Sequence, residues 1–472
     1  MKIAIDTADL DCERIDGTRV YLQNVLKCLG KFAPKDEFFL LHKTKYNKLL
    51  QPVEFVNYHN RSLGKGFWWT QIKFARAVRK LKADVCWMPI QQIPFFNFSA
   101  PGGPASGWKF KIFPSRADQS WAGNFSSVLN NLILNFKLIF NGRKKDKRVR
   151  EVSVGGGTKY VVTIHDLAFK KGLFPDHFPL IDRLKINFYT NMAVRRADGI
   201  IAVSEATKKD LIRFYPDVDE NKIRVVYHGF DRKNFEREFS EKEKRVFAKK
   251  YGLVKSEING NVAVQDYLLY VGAIQPRKDL VTLIGAFNKI KSQGTVNREQ
   301  RTKNSEQGTV NSEQDISGDV SGLKLILVGE RAWKSEGTLR EIENSEFRDD
   351  IIVTGKVDFK ELAMFYRLAK IFVFPSLYEG FGIPVLEAMA SKTPVVVADN
   401  SSLPEIGGEA VLKFETGNSG DLIRRLRKLL ANEKLREEMV KRGLERVEKF
   451  SWEKCARETL KVLKKVGNNF DL

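Results

Sequence analysis

Two carboxylates, Glu379 and Glu387, bracket the segment Gly380-Phe381-Gly382-Ile383-Pro384-Val385-Leu386. The apolar run from Ile371 to Phe374, closed by Pro375, reads as a buried parallel strand. Pro384 predicts a helix opening at that point, because a proline in the first turn forfeits no hydrogen bond. Glu379 then lies in the loop and Glu387 about one turn inside the helix, so the pair flanks a helix N-terminus. Backbone amides there favour an anion such as phosphate, and the glycines let a ligand approach the main chain. With carboxylates on either side to accept hydrogen bonds from hydroxyls, the segment fits a diphosphate carrying a sugar at each end.

Other chemistry-bearing residues fall at the ends of strand-like runs. Asp16-Gly17-Thr18 follows the first such run and precedes a helical pattern, a place that suits a turn or an anion site equally. Val161-Val162-Thr163-Ile164 ends in His165 and Asp166, and ligands of open α/β sheets gather beyond the carboxyl ends of strands, so His165 is a candidate catalytic group. Ser204, after Gly199–Val203, is expected to cap the helix that follows. Gln275-Pro276-Arg277-Lys278-Asp279 follows a strand ending at Gly272, which puts Arg277 and Lys278 near a phosphate locus; the plainer alternative is an exposed, solvated cation pair. Asp9-Leu10-Asp11 and Asp217-Val218-Asp219 have acidic spacing that could hold a metal, but each falls in a loop or turn, and no metal or other cofactor is expected.

The elements that position these residues alternate. Lys2–Asp6, Phe38–His42, Asp84–Met88, Tyr160–Ile164 and Gly199–Val203 read as strands, with helical patterns at Val20–Lys31, Trp68–Lys82 and Ile181–Arg196. A second series opens at Tyr267–Gly272 and continues through Leu323–Val328, Ile351–Val353, Ile371–Phe374 and Val395–Ala398. Such alternation means βαβ units on parallel sheets. The expected organisation is an N-terminal Rossmann-like domain over 1–231, a second such domain over 232–449, and a C-terminal helix over 450–472 returning to the first. Asp358 and Glu361 are expected to form a capping box, and Ser451 to cap the last helix.

Two insertions interrupt the pattern. In the first, about 95–158, an apolar stretch from Phe125 to Phe140 is followed by six basic residues between Arg143 and Arg150, suiting either an interfacial anchor on an anionic membrane or a helical hairpin with a solvated charge run. In the second, about 292–322, Gln293-Gly294-Thr295-Val296-Asn297 recurs as Gln307-Gly308-Thr309-Val310-Asn311, and its polarity predicts a disordered loop.

With 472 residues the chain exceeds one ordinary core. Its apolar runs are too short to cross a bilayer, and Met1 leads straight into a strand, so a cytoplasmic protein without a leader is expected, peripheral at the inner face of the cell membrane if the first insertion is an anchor. The four cysteines, without CxxC spacing, read as ordinary thiols. A net charge of +22 would draw nucleic acid, anionic lipid or phosphorylated substrates. Against nucleic acid, no helix-turn-helix, zinc finger or RNP-like strand is present.

The segment from Glu379 to Glu387 resembles the E-x7-E signature of the retaining glycosyltransferases of family 4, which have the GT-B fold of two Rossmann-like domains facing across a cleft. Ile164-His165-Asp166-Leu167, Val203-Ser204-Glu205, Pro404-Glu405-Ile406-Gly407-Gly408 and Phe450-Ser451-Trp452 are similar to further landmarks of that family, and Pro276-Arg277-Lys278 to its mannosyltransferase-like branch. The resemblance covers nearly the whole chain outside the two insertions. It implies a hexosyltransferase, with mannose from GDP-mannose as one donor, acting on a lipid-linked or polysaccharide acceptor of the cell envelope. Glu379 would lie beside the donor sugar, the amides of Gly380, Phe381, Gly382 and Ile383 would meet its hydroxyls and the diphosphate, and Glu387 would take the ribose. Gly17 would let the first-domain loop approach the phosphates and His165 would sit near the reacting carbon. Arg277 and Lys278 would neutralise the leaving diphosphate, Arg277 standing in for an arginine that much of the family has where this chain has Ala273. A non-catalytic nucleotide-sugar or nucleic-acid binding protein and an epimerase of the same fold are the competing readings.

Overall fold

A computed structural model describes residues 1–13, 16–66, 69–94, 157–171, 180–259, 261–305 and 320–468. Seven parallel strands form the first sheet: β1 (Lys2–Asp6), β2 (Glu37–His42), β3 (Tyr58–Ser62), β4 (Val85–Met88), β5 (Lys159–Ile164), β6 (Gly199–Ala202) and β7 (Ile223–Val225), in the order β3-β2-β1-β4-β5-β6-β7. After an antiparallel pair, β8 (Val254–Ile258), which is exposed, and β9 (Asn261–Val264), which buries Val262, six parallel strands form the second sheet. These are β10 (Tyr267–Val271), β11 (Lys324–Val328), β12 (Ile351–Gly355), β13 (Ile371–Phe374), β14 (Val395–Ala398) and β15 (Val411–Phe414), ordered β12-β11-β10-β13-β14-β15. Two parallel α/β units are therefore present, as expected.

Helices cover both faces of each sheet, so the central strands are buried throughout; β4, β13 and β14 expose no residue. Chain order reverses between β1 and β4 in the first sheet and between β10 and β13 in the second. Loops leaving the carboxyl ends of those strands diverge and open a crevice. Gly17 follows β1, the Arg277-Lys278 loop follows β10, and the Glu379 loop follows β13, so these predicted site residues converge on the two switch points.

The C-terminal helix, Trp452–Gly467, crosses back to the first unit. Ser451 caps it, accepting from the Lys454 amide at 3.1 Å, and Trp452, Cys455 and Leu463 are buried with Ile3, Tyr21 and Val85. Lys464 pairs with Asp36 at 2.9 Å, and Asp36 also takes the N-terminal amine of Met1 at 3.0 Å. Where the chain leaves the first unit, a Cβ on Gly229 would stand 2.1 Å from the Trp452 nitrogen, so only glycine admits the returning helix.

Three expectations change. The first copy of the duplicated segment, Gln293–Asn297, lies within a helix, Leu280–Ser305, rather than a loop. Its amino-terminal half is anchored by buried Leu283, Ile284, Phe287 and Ile290, and once a helix is nucleated each further Gln, Arg or Lys adds a hydrogen bond at little cost. The second copy, Gln307–Asn311, and the candidate anchor Phe125–Arg150 lie outside the described residues. The capping box at Asp358 is only half formed: Asp358 accepts from the Glu361 amide at 2.8 Å, but the Glu361 carboxylate turns to Lys250. Ser240 and Glu243 make the reciprocal box instead, opening the helix Glu241–Lys250. β3 is also new, because a polar edge strand with only Tyr58 buried carries no apolar alternation.

Candidate active site

The helix Ile383–Ala390 begins where the sequence places it, with Pro384 in its first turn and Gly382 before it at φ +103°. That left-handed conformation is one L side chains resist, and it turns the chain into the helix. Among the described residues the N–H groups of Gly380, Phe381, Gly382 and Ile383 make no hydrogen bond, which leaves a row of donors at a helix N-terminus. The loop is braced from the end of β14. Ser401 Oγ accepts from the Glu379 amide at 2.9 Å, and Ser402 Oγ donates to the carbonyls of Glu379 and Phe381 at 3.0 and 2.7 Å.

Glu379 is buried and ion-paired with Lys278, with Arg277 close by. Burial alone would push its carboxyl up; the two cations outweigh that and hold it below the usual carboxylate range. The Arg277 guanidinium reaches across the cleft to 3.6 Å from Asp166 and donates to the Tyr378 carbonyl at 3.4 Å. Glu387 differs sharply. Burial pushes its carboxyl up to about 7, against one stabilising hydrogen bond from the Tyr366 hydroxyl at 2.9 Å to Oε2, and the nearby Asp231 adds to the rise. One carboxylate of the pair is thus locked as an anion, while the other changes charge near neutrality.

On the facing side, His165 donates from Nε2 to the Pro89 carbonyl at 2.9 Å, because a carbonyl can only accept. Burial lowers its pKa, so the ring is a neutral imidazole with Nδ1 as its acceptor. Its backbone carbonyl lies against the second unit: a Cβ built on Gly380 would stand 1.8 Å from it. The glycine after Glu379 is thus required by close approach of the two units. Gly17 opens the helix Gly17–Phe32, with Asp16 accepting from the Arg19 amide at 3.3 Å, and a Cβ there would meet nothing within 4 Å.

Further bonds cross the cleft. Ser204 caps Glu205–Phe214 as expected, accepting from the Thr207 amide, and its hydroxyl also donates to the Gly380 carbonyl at 2.7 Å. The Thr207 hydroxyl reaches the same carbonyl at 3.3 Å. Glu405 of the second unit accepts from the amides of Glu205 and Ala206 at 2.7 and 3.0 Å, putting a carboxylate on the positive end of that helix. Tyr378 donates its hydroxyl to Asp210 at 2.7 Å.

Gly17, His165, Arg277, Lys278, Glu379 and Glu387 stand at or beyond the carboxyl ends of strands in the two sheets, beside several partners that the sequence does not announce. Ser402 and Tyr366 carry no local signal, and the chain position of Asp210 says nothing of Tyr378. His228 was readable as a residue just beyond β7; its buried ring lies 4.7 Å from both Tyr21 and Phe381, with neither nitrogen hydrogen-bonded among the described residues. Three carboxylates of the two acidic repeats have protein partners. Asp11 accepts from the amides of Lys43 and Thr44, Asp217 pairs with Arg195, and Asp219 caps the turn Glu220–Lys222.

Comparison with known proteins agrees with this geometry. Residues 255–446 match the family model of glycosyl transferases group 1, and residues 146–234 that of glycosyltransferase family 4. Escherichia coli O-antigen chain mannosyltransferase B is 27% identical over 301 residues, which span 59% of this chain and 72% of that protein. The Salmonella typhimurium O-antigen chain mannosyltransferase RfbU is 28% identical over 238 residues, about half of each chain. Among solved structures, the sucrose-phosphate synthase of Thermosynechococcus elongatus superposes with a TM-score of 0.63 at 16% identity, covering 99% of both chains. Anabaena HepE in complex with UDP and glucose gives 0.61 at 14% identity, over 98% of this chain and 99% of that one. Those structural likenesses establish the shared GT-B fold.

Proposed function

Because the chain belongs to the family 4 glycosyltransferases, we propose that it moves a hexose, mannose from GDP-mannose, to a lipid-linked or polysaccharide acceptor with retention at the anomeric carbon. The observation that carries this reading is the row of amides from Gly380 to Ile383 beside the buried Lys278–Glu379 pair and Arg277, at the switch point of the second sheet. The O-antigen mannosyltransferases among its relatives support the choice of sugar.

In this reading the diphosphate oxygens take the amides, and Arg277 and Lys278 offset the charge that grows as the nucleotide departs. Glu379, held ionised by Lys278, accepts from a hydroxyl of the donor sugar, and Glu387 accepts from the ribose. His165 offers Nδ1 to a sugar hydroxyl beside the reacting carbon, and Gly17 leaves its helix N-terminus open toward the phosphates. The acceptor oxygen bonds to the anomeric carbon on the face from which the carbon–phosphate oxygen bond breaks. Its proton passes to the departing phosphate oxygen, so nucleoside diphosphate leaves without an enzymic nucleophile. Cations and amides supply the neutralisation, and turnover is expected to survive a chelator.

Nucleotide release measured over a panel of sugar nucleotides tests the proposal. Glu379→Gln is expected to lower turnover by roughly 10²-fold, as removal of a group aligned on the reacting sugar does; unchanged turnover would remove Glu379 from the reaction. No helix among the described residues is long and apolar enough to cross a membrane. Peripheral association with anionic lipid through the basic segment 125–150 is part of the proposal, and flotation with anionic vesicles should be lost when that segment is deleted.

A further inference from the structure

A second cleft, of about 460 Å³, opens at the carboxyl end of the first sheet, lined by Lys43, Lys65, Trp69, Gln71, Gln92 and Tyr189 among others. Lys43 directly follows β2, Lys65 lies just beyond β3 and Gln92 just beyond β4, so loops leaving three strands of the sheet, β1 lying between β2 and β4, meet there. Trp69 heads a segment, Thr70–Phe74, wound as a π-helix, with the Phe74 amide bonded to the Trp69 carbonyl at 3.0 Å. Such wide turns recur at functional sites. Gln71 is fixed by a bond from Nε2 to the Ile93 carbonyl at 3.0 Å, and the same loop carries Pro89, which holds His165. The cleft is therefore one short loop away from the candidate active site.

Its chemistry is that of an anion carried on a ring-bearing molecule. Lys43 Nζ lies 5.3 Å from the centroid of the Trp69 ring, a cation held over an aromatic face. Trp69 is 5% exposed, and its indole N–H is buried without a hydrogen bond among the described residues. A buried donor of this kind costs stability unless a ligand oxygen satisfies it. Among the carboxyls near Lys43, Asp11 is turned to the backbone amides of Lys43 and Thr44, and no ion pair joins Asp6 or Asp9 to the lysine among the described residues. Two amides, an indole and a phenol complete a lining suited to sugar hydroxyls and a sugar face.

We propose that this cleft binds the acceptor, and that the acceptor is a phosphate or diphosphate ester whose anion is read by Lys43 and Lys65 while its sugar lies against Trp69. The inference rests on the glycosyltransferase reading and narrows it to an anionic acceptor class. An uncharged polysaccharide end would offer Lys43 and Lys65 no anion to contact.

The test uses the full chain and two acceptors differing in one group: a monosaccharide joined to a short alkyl chain through diphosphate, and the same sugar as a neutral alkyl glycoside. A sugar 1-phosphate forms a third arm, separating a soluble phosphate from a lipid-borne one. With GDP-mannose as donor, the diphosphate acceptor is expected to show a KM at least about tenfold lower than the neutral one, the scale of a charge-assisted contact. Lys43→Gln with Lys65→Gln should erase that difference while leaving the KM for the donor unchanged. Equal use of both acceptors by the wild type, or an equal rise in both KM values in the variant, would overturn the proposal. Calorimetry with the alkyl diphosphate-sugar at saturating GDP gives a readout independent of turnover. Binding that the double variant loses upholds the cleft even if no sugar nucleotide is turned over, an outcome that counts against the glycosyltransferase reading alone. Absence of binding to the wild type overturns the cleft whatever the activity.

Discussion

Gly380→Ala tests the working geometry of the cleft. The added Cβ would stand 1.8 Å from the His165 carbonyl oxygen, 2.9 Å from its carbon and 3.1 Å from the Asp166 Cβ. Backbone on both sides leaves no flexible side chain to yield, so the two units must part by roughly 1 Å or more to restore ordinary contact. That motion breaks the 2.7 Å bond from Ser204 to the Gly380 carbonyl, worth about 1 kcal/mol. Each unit keeps its own core, so the melting temperature should fall by only about 2–4 °C. Turnover should fall much further, because a displacement of about 1 Å at the reacting centre costs roughly 10²-fold. Nucleotide release gives the rate, calorimetry with nucleoside diphosphate the affinity, and small-angle scattering the separation of the units. Gly17→Ala is the control for simple glycine loss: its Cβ meets nothing within 4 Å, so the fold and closure are untouched and only a raised donor KM is expected. Wild-type turnover in Gly380→Ala would refute the reasoning, for the cleft would then work without this approach.

Two further outcomes follow from the same contacts. Glu405→Ala removes the carboxylate that takes the Glu205 and Ala206 amides, a helix-end interaction worth about 1–2 kcal/mol to the closed form; kcat/KM should drop by roughly five- to thirtyfold, with both units still melting normally. Glu387 bears on pH. Its carboxyl is raised from 4.5 to about 7, so the native state prefers it protonated; that contribution is whole below about pH 4.5 and is lost as pH rises through 7. Asp6, raised from 3.8 to about 7, acts in the same direction. Glu387→Gln should therefore flatten the fall in stability across this window, being more stable than wild type at pH 8 by at most about 3 kcal/mol in denaturant titrations. A wild-type curve that rises between pH 5 and 7, unchanged by the substitution, would count against a buried acid at this position.

What the sequence determined by itself was the set of strands and the residues at their carboxyl ends. Buried parallel strands such as β10, β13 and β14 must be continuous apolar runs, and a proline or glycine just beyond them marks where the loop turns into a helix, so Glu379, Glu387, Arg277, Lys278 and His165 could be placed on the cleft before any coordinates. Polar elements were not legible in this way. The edge strand β3 and the short pair β8 and β9 owe their form to backbone pairing, and the extension of the helix Leu280–Ser305 through the duplicated segment owes its form to propagation from a buried first half. Tertiary structure alone decided the electrostatics of the two glutamates. Both carry the same side chain in one short motif, yet a buried cation pair holds Glu379 ionised while burial beside a tyrosine lifts Glu387 toward neutrality. It also decided that Gly380 faces His165, that Ser204 and Glu405 bond across the cleft, and that Lys43, Lys65 and Trp69 share a second one. The physical reason is common to all of these: a side chain's charge state and partners depend on what is packed against it, and residues far apart in the chain meet only when the sheets have stacked their loops.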